Sequence, residues 1–307
     1  MSAVLRPGRL PGGSGPTDGA DAATGTGVSA LRLAVRRFTR NRLAVVGLAV
    51  VVLFFLFCFV GPLLYSTDQT HTALTQANLG PGGAHLLGTD AVGHDELGRL
   101  MYGGKVSLVV GLAAGILATV IGTLWGATAG YAGGWVDAVM MRVVDAGIAI
   151  PALFILLVIS AISTPGVWGL IVILGLVSWL VPSRLVRAET LTLKNRDYVH
   201  TLRAIGGTHS RAIGRHILPN SVSTIVVAAT FQVADAILLV AYVSYLGLGL
   251  QPPRTDWGGM LSAGLTATYS GRWWLIVPPG LAVILVVCAF NAIGDGLRDA
   301  FDVRGRG

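Results

Sequence analysis

Charge is scarce in this chain. Only 12% of its 307 residues are Asp, Glu, Lys or Arg, while 53% are hydrophobic and the mean hydropathy is +0.70. Soluble globular chains carry about 25% charged residues. Half that leaves too little polar surface for a water-soluble domain, a disordered chain or a coiled coil, and the balance is that of a polytopic membrane protein. Lysine is rarer still, with only Lys105 and Lys194. Lys105 follows Gly104 but precedes Val106, and Arg99 stands where the first glycine of a G-x4-G-K-[ST] loop belongs, so nothing here cradles nucleotide phosphates. The two cysteines, Cys58 and Cys288, lie in apolar runs and read as small hydrophobes rather than a disulfide or a metal pair. No CxxC or HExxH occurs, and Ser and His are scattered among loops without a nucleophile–base constellation, which speaks against a hydrolase. The expectation is a non-enzymatic chain that binds no cofactor or metal of its own.

What is abundant is apolar sequence in long runs. Residues 1–30, with seven glycines and no periodic apolar pattern, read as a flexible cytoplasmic tail. They are not a signal peptide: the first apolar run begins only at Leu43, is too long for an h-region and is followed by no small-x-small site. A basic cluster, Arg32, Arg36, Arg37, Arg40 and Arg42, precedes 23 uncharged residues at 43–65. At 1.5 Å per residue such a run reaches about 34 Å, enough to cross the hydrocarbon core. Five more runs follow: 106–130; 143–162, with Asp145 and Pro151; 167–181, short and extendable back through Pro165; 225–246, with Asp235; and 273–293, with Pro278 and Pro279. The expected fold is an all-α membrane protein of six transmembrane helices.

Charge orients it. The formal net charge is +7 and the pI about 9.9. In a soluble protein this would raise nucleic acid as a partner, but Lys and Arg gather in the cytoplasmic loops of membrane proteins, and that is the stronger explanation. Eighteen of the 22 Lys and Arg fall in segments this topology places inside, and four (Arg99, Lys105, Arg254, Arg272) fall outside, so the expected orientation is N-in/C-in. The chain then divides into the 1–30 tail, a basic segment with the first transmembrane helix at 31–65, an extracytoplasmic loop at 66–105, a transmembrane core at 106–300 with a cytoplasmic loop at 183–220, and a cytoplasmic tail at 301–307.

The second run carries Gly111, Gly115, Gly122, Gly126 and Gly130, spaced to share helix faces and admit another backbone closely, within the chain or between subunits. The 183–220 loop is patterned as well. Asp197 is placed to cap a short helix, Tyr198, Leu202 and Ile205 fall on one face at i, i+4 and i+7, and Gly206 and Gly207 stop it. Thr208 caps a second short helix that Pro219 ends. The first helix would be a rod of about 12 Å (eight residues at 1.5 Å) among Arg196, Arg203, Arg211 and Arg215. By physics alone it fits the anionic leaflet as well as a partner protein.

Three stretches resemble one family. Tyr198 to Asn220, YVHTLRAIGGTHSRAIGRHILPN, resembles the cytoplasmic "EAA" loop of ABC importer permeases, with Gly206 as its glycine and Leu218-Pro219 as its end. LGTDAVGHDELGRLMYG, before the second run, resembles the LGTD–G–D–R signature of permeases of the dipeptide/oligopeptide/nickel transport family, and YLGLGLQPP followed by WGGML at 257–261 does too. The resemblance covers roughly residues 32–300 and is to the second, "C"-type permease. The chain departs from the pattern at His200, Thr201 and Leu202, where the motif's acidic and small residues stand, and at His216, Val240, His94 and Gly98.

The resemblance implies a MetI-like ABC importer permease fold in a bacterial inner membrane. It implies a subunit of an ATP-driven importer for di- or oligopeptides, or alternatively nickel or another small solute, that forms half of the translocation pathway. Its partners would be a homologous second permease, two ATP-binding subunits or domains that hold the ATP, an extracytoplasmic solute-binding protein and the lipid bilayer, with no nucleic acid. ATPase coupling would fall to Asp197, Tyr198, Leu202, Arg203, Ala204, Ile205, Gly206, His216, Leu218 and Pro219. From the residues themselves, Asp235 near mid-membrane, with Gln232 three residues before it on the same helix, is a candidate for lining a polar pathway or for a structural hydrogen bond. Asp145, nearer the inner end and three residues past Arg142, is the third candidate, and its position favours an interfacial or inter-helix pair. The rivals are a proton-coupled secondary transporter using Asp145 or Asp235, an exporter permease and a membrane enzyme; six spans with one long docking loop fit the first less well.

Overall fold

A computed structural model of the protein describes residues 30–199 and 208–301. Apart from Ala30 and Phe301, both helical, the expected tails lie outside the described residues, as does 200–207 of the coupling segment. The described residues fold almost wholly into helices, and their one β contact is an isolated bridge between Thr89 and Asp95.

The chain opens with α1 (Ala30–Arg40), whose apolar side, Ala34 and Phe38, turns inward while its arginines stay outside. Asn41 breaks the helix and accepts a hydrogen bond from the Ala44 amide, capping α2 (Arg42–Phe59). After a connecting segment comes α3 (Glu96–Ala132), 37 residues long, which starts ten residues before the apolar run because Asp95 caps it there. Next are α4 (Gly134–Ile148), α5 (Ala152–Ser163), α6 (Val167–Ser178) and α7 (Leu180–Lys194), followed by α8 (Val222–Tyr245), α9 (Trp257–Leu265) and α10 (Val277–Phe301).

Four helical stretches are long and apolar enough to cross a membrane, and up to six if each bent pair is one span. The runs read at 143–162 and 167–181 fall within the two bent pairs. α4 and α5 meet at 74° and α6 and α7 at 45°. Pro151 lacks the N–H that would continue the α4 ladder and pushes Ile150 out of helical geometry. Pro182 sits in the first turn of α7, where a missing N–H costs nothing, so the helix restarts there. Residues 183–194, expected within a cytoplasmic loop, therefore belong to a helix of the core.

α3 is the central column. Its glycines are used within the chain, which resolves the two options the spacing left. Gly111 and Gly115 lie against Ile237 and Val233 of α8, and Gly122, Gly126 and Gly130 lie against Pro182, Ser183, Arg187 and Thr190 of α7. A Cβ at Gly126 would collide with the Ser183 carbonyl, so only glycine lets the two backbones approach. One apolar cluster joins α2, α3, α8, α9 and α10 through Leu108, Ile237, Trp257, Val286 and Phe290, and a second joins α3, α5, α6 and α8 through Val110, Leu156, Leu174 and Val240.

Candidate functional site

At the end of the bundle where α3 finishes and α10 ends, Gly133 and Gly134 take positive φ (66° and 56°) and turn the chain sharply into α4. Asp137 of α4 then accepts two hydrogen bonds from Arg187 of α7, at 2.5 and 2.6 Å, and Lys194 donates to the Gly130 carbonyl. A helix begins at Asp197. Val199 in its first turn is fully buried with Tyr131, Ala212 and Ile217, while Tyr198 stays 40% exposed. The His209 ring meets Tyr131 edge-on at 5.2 Å, and Tyr198 lies 6.1 Å from His216.

Thr208 caps the second stretch by accepting from the Arg211 amide, as its spacing predicted. Pro219 does not end it: residues 213–217 form a π turn, Leu218 and Pro219 open the next short turn, and α8 follows after Ser221. Pro219 at the start of that turn withdraws only an amide with little to bond to, so the path into α8 stays helical. Of the coupling candidates, the structure brings Tyr198 and His216 together and places Asp197, Leu218 and Pro219 beside them in the chain. Leu202, Arg203, Ala204, Ile205 and Gly206 lie outside the described residues. Sequence reasoning missed Val199 and Tyr131, which anchor the segment, and no spacing signal in the sequence singles them out.

A second site lies deeper. A cavity of about 350 Å³ opens beside the two bends, lined by Gly147 and Pro151 at the first, Ser178 at the second, and Gln232, Asp235 and Tyr242 of α8. Gln232 is only 6% exposed. Asp145, the third pathway candidate, is not among the lining residues: it pairs with Arg184 of α7 at 2.5 Å, so its charge is held outside the cavity.

The signature stretches at the opposite end prove to be helix caps. Asp95 accepts from the Gly98 amide to cap α3, and its other oxygen accepts from the Tyr65 hydroxyl at 2.8 Å and faces His85 Nδ1 at 2.9 Å. Burial first, and then the Asp95 carboxylate, pushes the Tyr65 hydroxyl above its ordinary pKa. Arg99 lies within 3.4 Å of Asp90. Asp256 caps α9 and accepts from Ser244 at 2.7 Å; burial raises its carboxyl, opposed by Ser244 and the amides of Gly259 and Gly258. Trp257, fully buried, donates its backbone N–H to Ser107 and its indole N–H to the Leu100 carbonyl, fixing α9 to α3.

A bundle of apolar helices with two internal bends, a largely apolar cavity at their junction that holds one carboxylate, and an anchored segment at one end defines a multi-pass membrane protein built for transport. The chain belongs to the family of binding-protein-dependent transport system inner membrane components, whose family model matches residues 122–307. Residues 29–81 match the N-terminal TM domain of oligopeptide transport permease C. The chain is similar to a dipeptide transport system permease protein of Bacillus subtilis, 36% identical over 92% of this chain and 88% of that one. It is also similar to a putative peptide permease protein of Brucella suis, 42% identical over 87% and 89%, and to an oligopeptide transport system permease protein of Escherichia coli, 40% identical over 88% and 90%. It is thus a permease component of the bacterial inner membrane.

Proposed function

We propose that this chain is one of two homologous permease subunits of an ATP-driven importer for di- or oligopeptides. Each bent helix pair counts as one span, giving six, with both termini cytoplasmic. Two ATP-binding subunits dock on the segment that begins at Asp197 and hydrolyse ATP, which this chain does not do, and an extracytoplasmic solute-binding protein delivers the peptide to the other side.

The observation that carries this reading is the division of labour at Tyr198 and Val199. Val199 is fully buried against Tyr131, Ala212 and Ile217, while Tyr198 is 40% exposed beside His216. A helix so held by one side and bare on the other is suited to fill a groove in a partner and to pass that partner's movement into α3 and α8. By spacing alone, Leu202 and Ile205, at i+4 and i+7 from Tyr198, are expected on the same side as Tyr198, with Gly206 as the exit. ATP-driven closure of the partner would then tilt the spans as rigid bodies and alternate access to the cavity lined by Asp235 and Gln232. The test is reconstitution of the whole transporter in liposomes: uptake of Ala-Ala-Ala should require ATP, the binding protein and this chain. Uptake that persists without ATP and collapses with the proton gradient would overturn it.

A further inference from the structure

The cavity beside α8 is chemically lopsided. Its lining holds one carboxylate, Asp235, and no Lys, Arg or His. Gln232, Asp235, Leu239 and Tyr242 occupy one face of α8, spaced at i, i+3, i+7 and i+10, while Ile148, Pro151 and Ile155 from the bend close the other side with apolar surface. Among the described residues Asp235 has neither an ion pair nor a hydrogen bond, and Gln232, 6% exposed, has no hydrogen-bond partner either. The basic residues of adjoining α7 are already engaged, Arg184 by Asp145, Arg187 by Asp137 and Lys194 by the Gly130 carbonyl. The Ser178 hydroxyl, also on the lining, is buried without a partner. Asp235 is exposed where Gln232 beside it is buried, and a carboxylate and a primary amide without partners near the middle of an apolar span point to a ligand that completes them.

The chemistry selects that ligand. Its charge is positive, since the site's one charge is negative. It is not a bare metal ion, which needs several hard oxygen ligands where the cavity offers one carboxylate among apolar side chains. A charge-assisted hydrogen bond from an ammonium group gains strength in such surroundings, and a ligand with amide groups would pair with Gln232 and the hydroxyls of Ser178 and Tyr242. We infer that this cavity receives the free amino terminus of a peptide, with the ammonium on Asp235 and the first peptide group on Gln232. This rests on the peptide-importer reading and makes the permease itself, not only the binding protein, a selector of substrates.

The test compares Ala-Ala-Ala with propionyl-Ala-Ala, the same molecule without its amino group, in liposomes bearing the complete transporter, at concentrations giving equal occupancy of the binding protein. The unaltered transporter should move Ala-Ala-Ala about tenfold faster, the ratio that one such contact supports. Asp235→Asn should bring the ratio close to one, and Asp235→Glu should restore most of it. If Asp235→Asn keeps the full preference, or slows both compounds by the same factor, the inference is overturned while the importer reading stands. A ratio of one in the unaltered transporter overturns it as well. Absence of any ATP-dependent uptake of Ala-Ala-Ala would overturn the importer reading and this inference with it.

Discussion

The rings of Tyr198 and His216 face each other with centroids 6.1 Å apart and planes inclined by 36°. Tyr198 stands in the first turn of the helix that begins at Asp197, and His216 in the π turn that leads through Leu218 and Pro219 into α8. The contact therefore joins the proposed docking helix to the transmembrane helix that carries Asp235. Val199, one residue on, joins the same helix to Tyr131 at the end of α3. Two core helices are thus coupled mechanically to one exposed segment.

This arrangement separates two kinds of variant. Leu202→Asp places a charge on the face meant for the partner, and Gly206→Val removes the glycine expected to make the exit turn. Full burial of an apolar side chain such as Leu202 contributes roughly 1.5–3 kcal/mol, partly offset by the cost of ordering on binding. Both variants should insert normally yet release the ATPase or lose at least tenfold of peptide-stimulated hydrolysis. Val199→Asp should act differently, by burying an unpaired carboxylate among Tyr131, Ala212 and Ile217, and should lower the thermal stability of the permease itself. Co-purification of the ATPase, read beside a thermal-unfolding measurement, distinguishes the two. Full ATPase retention and stimulation in both Leu202→Asp and Gly206→Val would return this helix to the membrane surface.

Much of this was legible in the sequence, and what was not has physical reasons. Long apolar runs, broken by a charge only at Asp235 of α8, mark α2, α3, α8 and α10 because a span must be predominantly apolar along its length. The same uniformity hid the bends: hydropathy is blind to direction, and Pro151 alone does not give an angle of 74°. The glycines of α3 announced a close approach, but their partners, Ser183, Arg187 and Thr190, sit in residues that read as a polar loop. Arg187 entered the sequence reading only as one of the basic residues of 183–220, because its partner, Asp137, lies fifty positions away. Asp145, near the inner end of its run, read as an interfacial or inter-helix pair, and Arg184 supplies the partner that the sequence could not name.

The Arg187–Asp137 pair should be worth measuring as a pair. It ties the first bent pair to the second, and its side chains are 33% and 13% exposed. That places it between surface pairs, worth about 0.2–1 kcal/mol, and buried ones, where loss of one partner costs about 3–5 kcal/mol. Asp137→Ala is expected to destabilise the purified permease by about 1–3 kcal/mol on that scale. Arg187→Ala should cost a similar amount, and the double variant less than the sum. Strict additivity in the cycle would show that the two side chains do not support each other.

The proposed orientation has a direct check. With Cys58 and Cys288 replaced, a membrane-impermeant maleimide added outside should label a cysteine at Thr72 and spare one at Thr208. Both positions are exposed, so access to the side chain is not in question. The charge asymmetry of the loops motivates the expectation. Labelling at Thr208 with protection at Thr72 would invert the topology and remove the basis for docking an ATPase on the 197–220 segment.

Trp257 should be the residue on which the end of the bundle opposite Asp197 most depends. It is fully buried, stacks edge-on against Phe54 of α2 at 5.8 Å, and gives both of its N–H groups to α3. Trp257→Ala removes the largest fully buried side chain and leaves a cavity between three helices, at a cost of about 3–5 kcal/mol. Trp257→Phe keeps most of the apolar surface and the backbone bond to Ser107, and loses the indole bond to the Leu100 carbonyl, a loss of about 1–2 kcal/mol. Thermal unfolding of the two purified variants should therefore rank wild type above Phe and Phe well above Ala. A Cβ at Gly104 would meet both Cys58 Sγ of α2 and the indole, so Gly104→Ala should strike the same contact from the α3 side, and Trp257→Ala should relieve only part of its cost when the two are combined. Equal stability of Trp257→Ala and wild type would mean that α9 is not held to α3 in this way, and that the WGGML stretch owes its place to something other than packing.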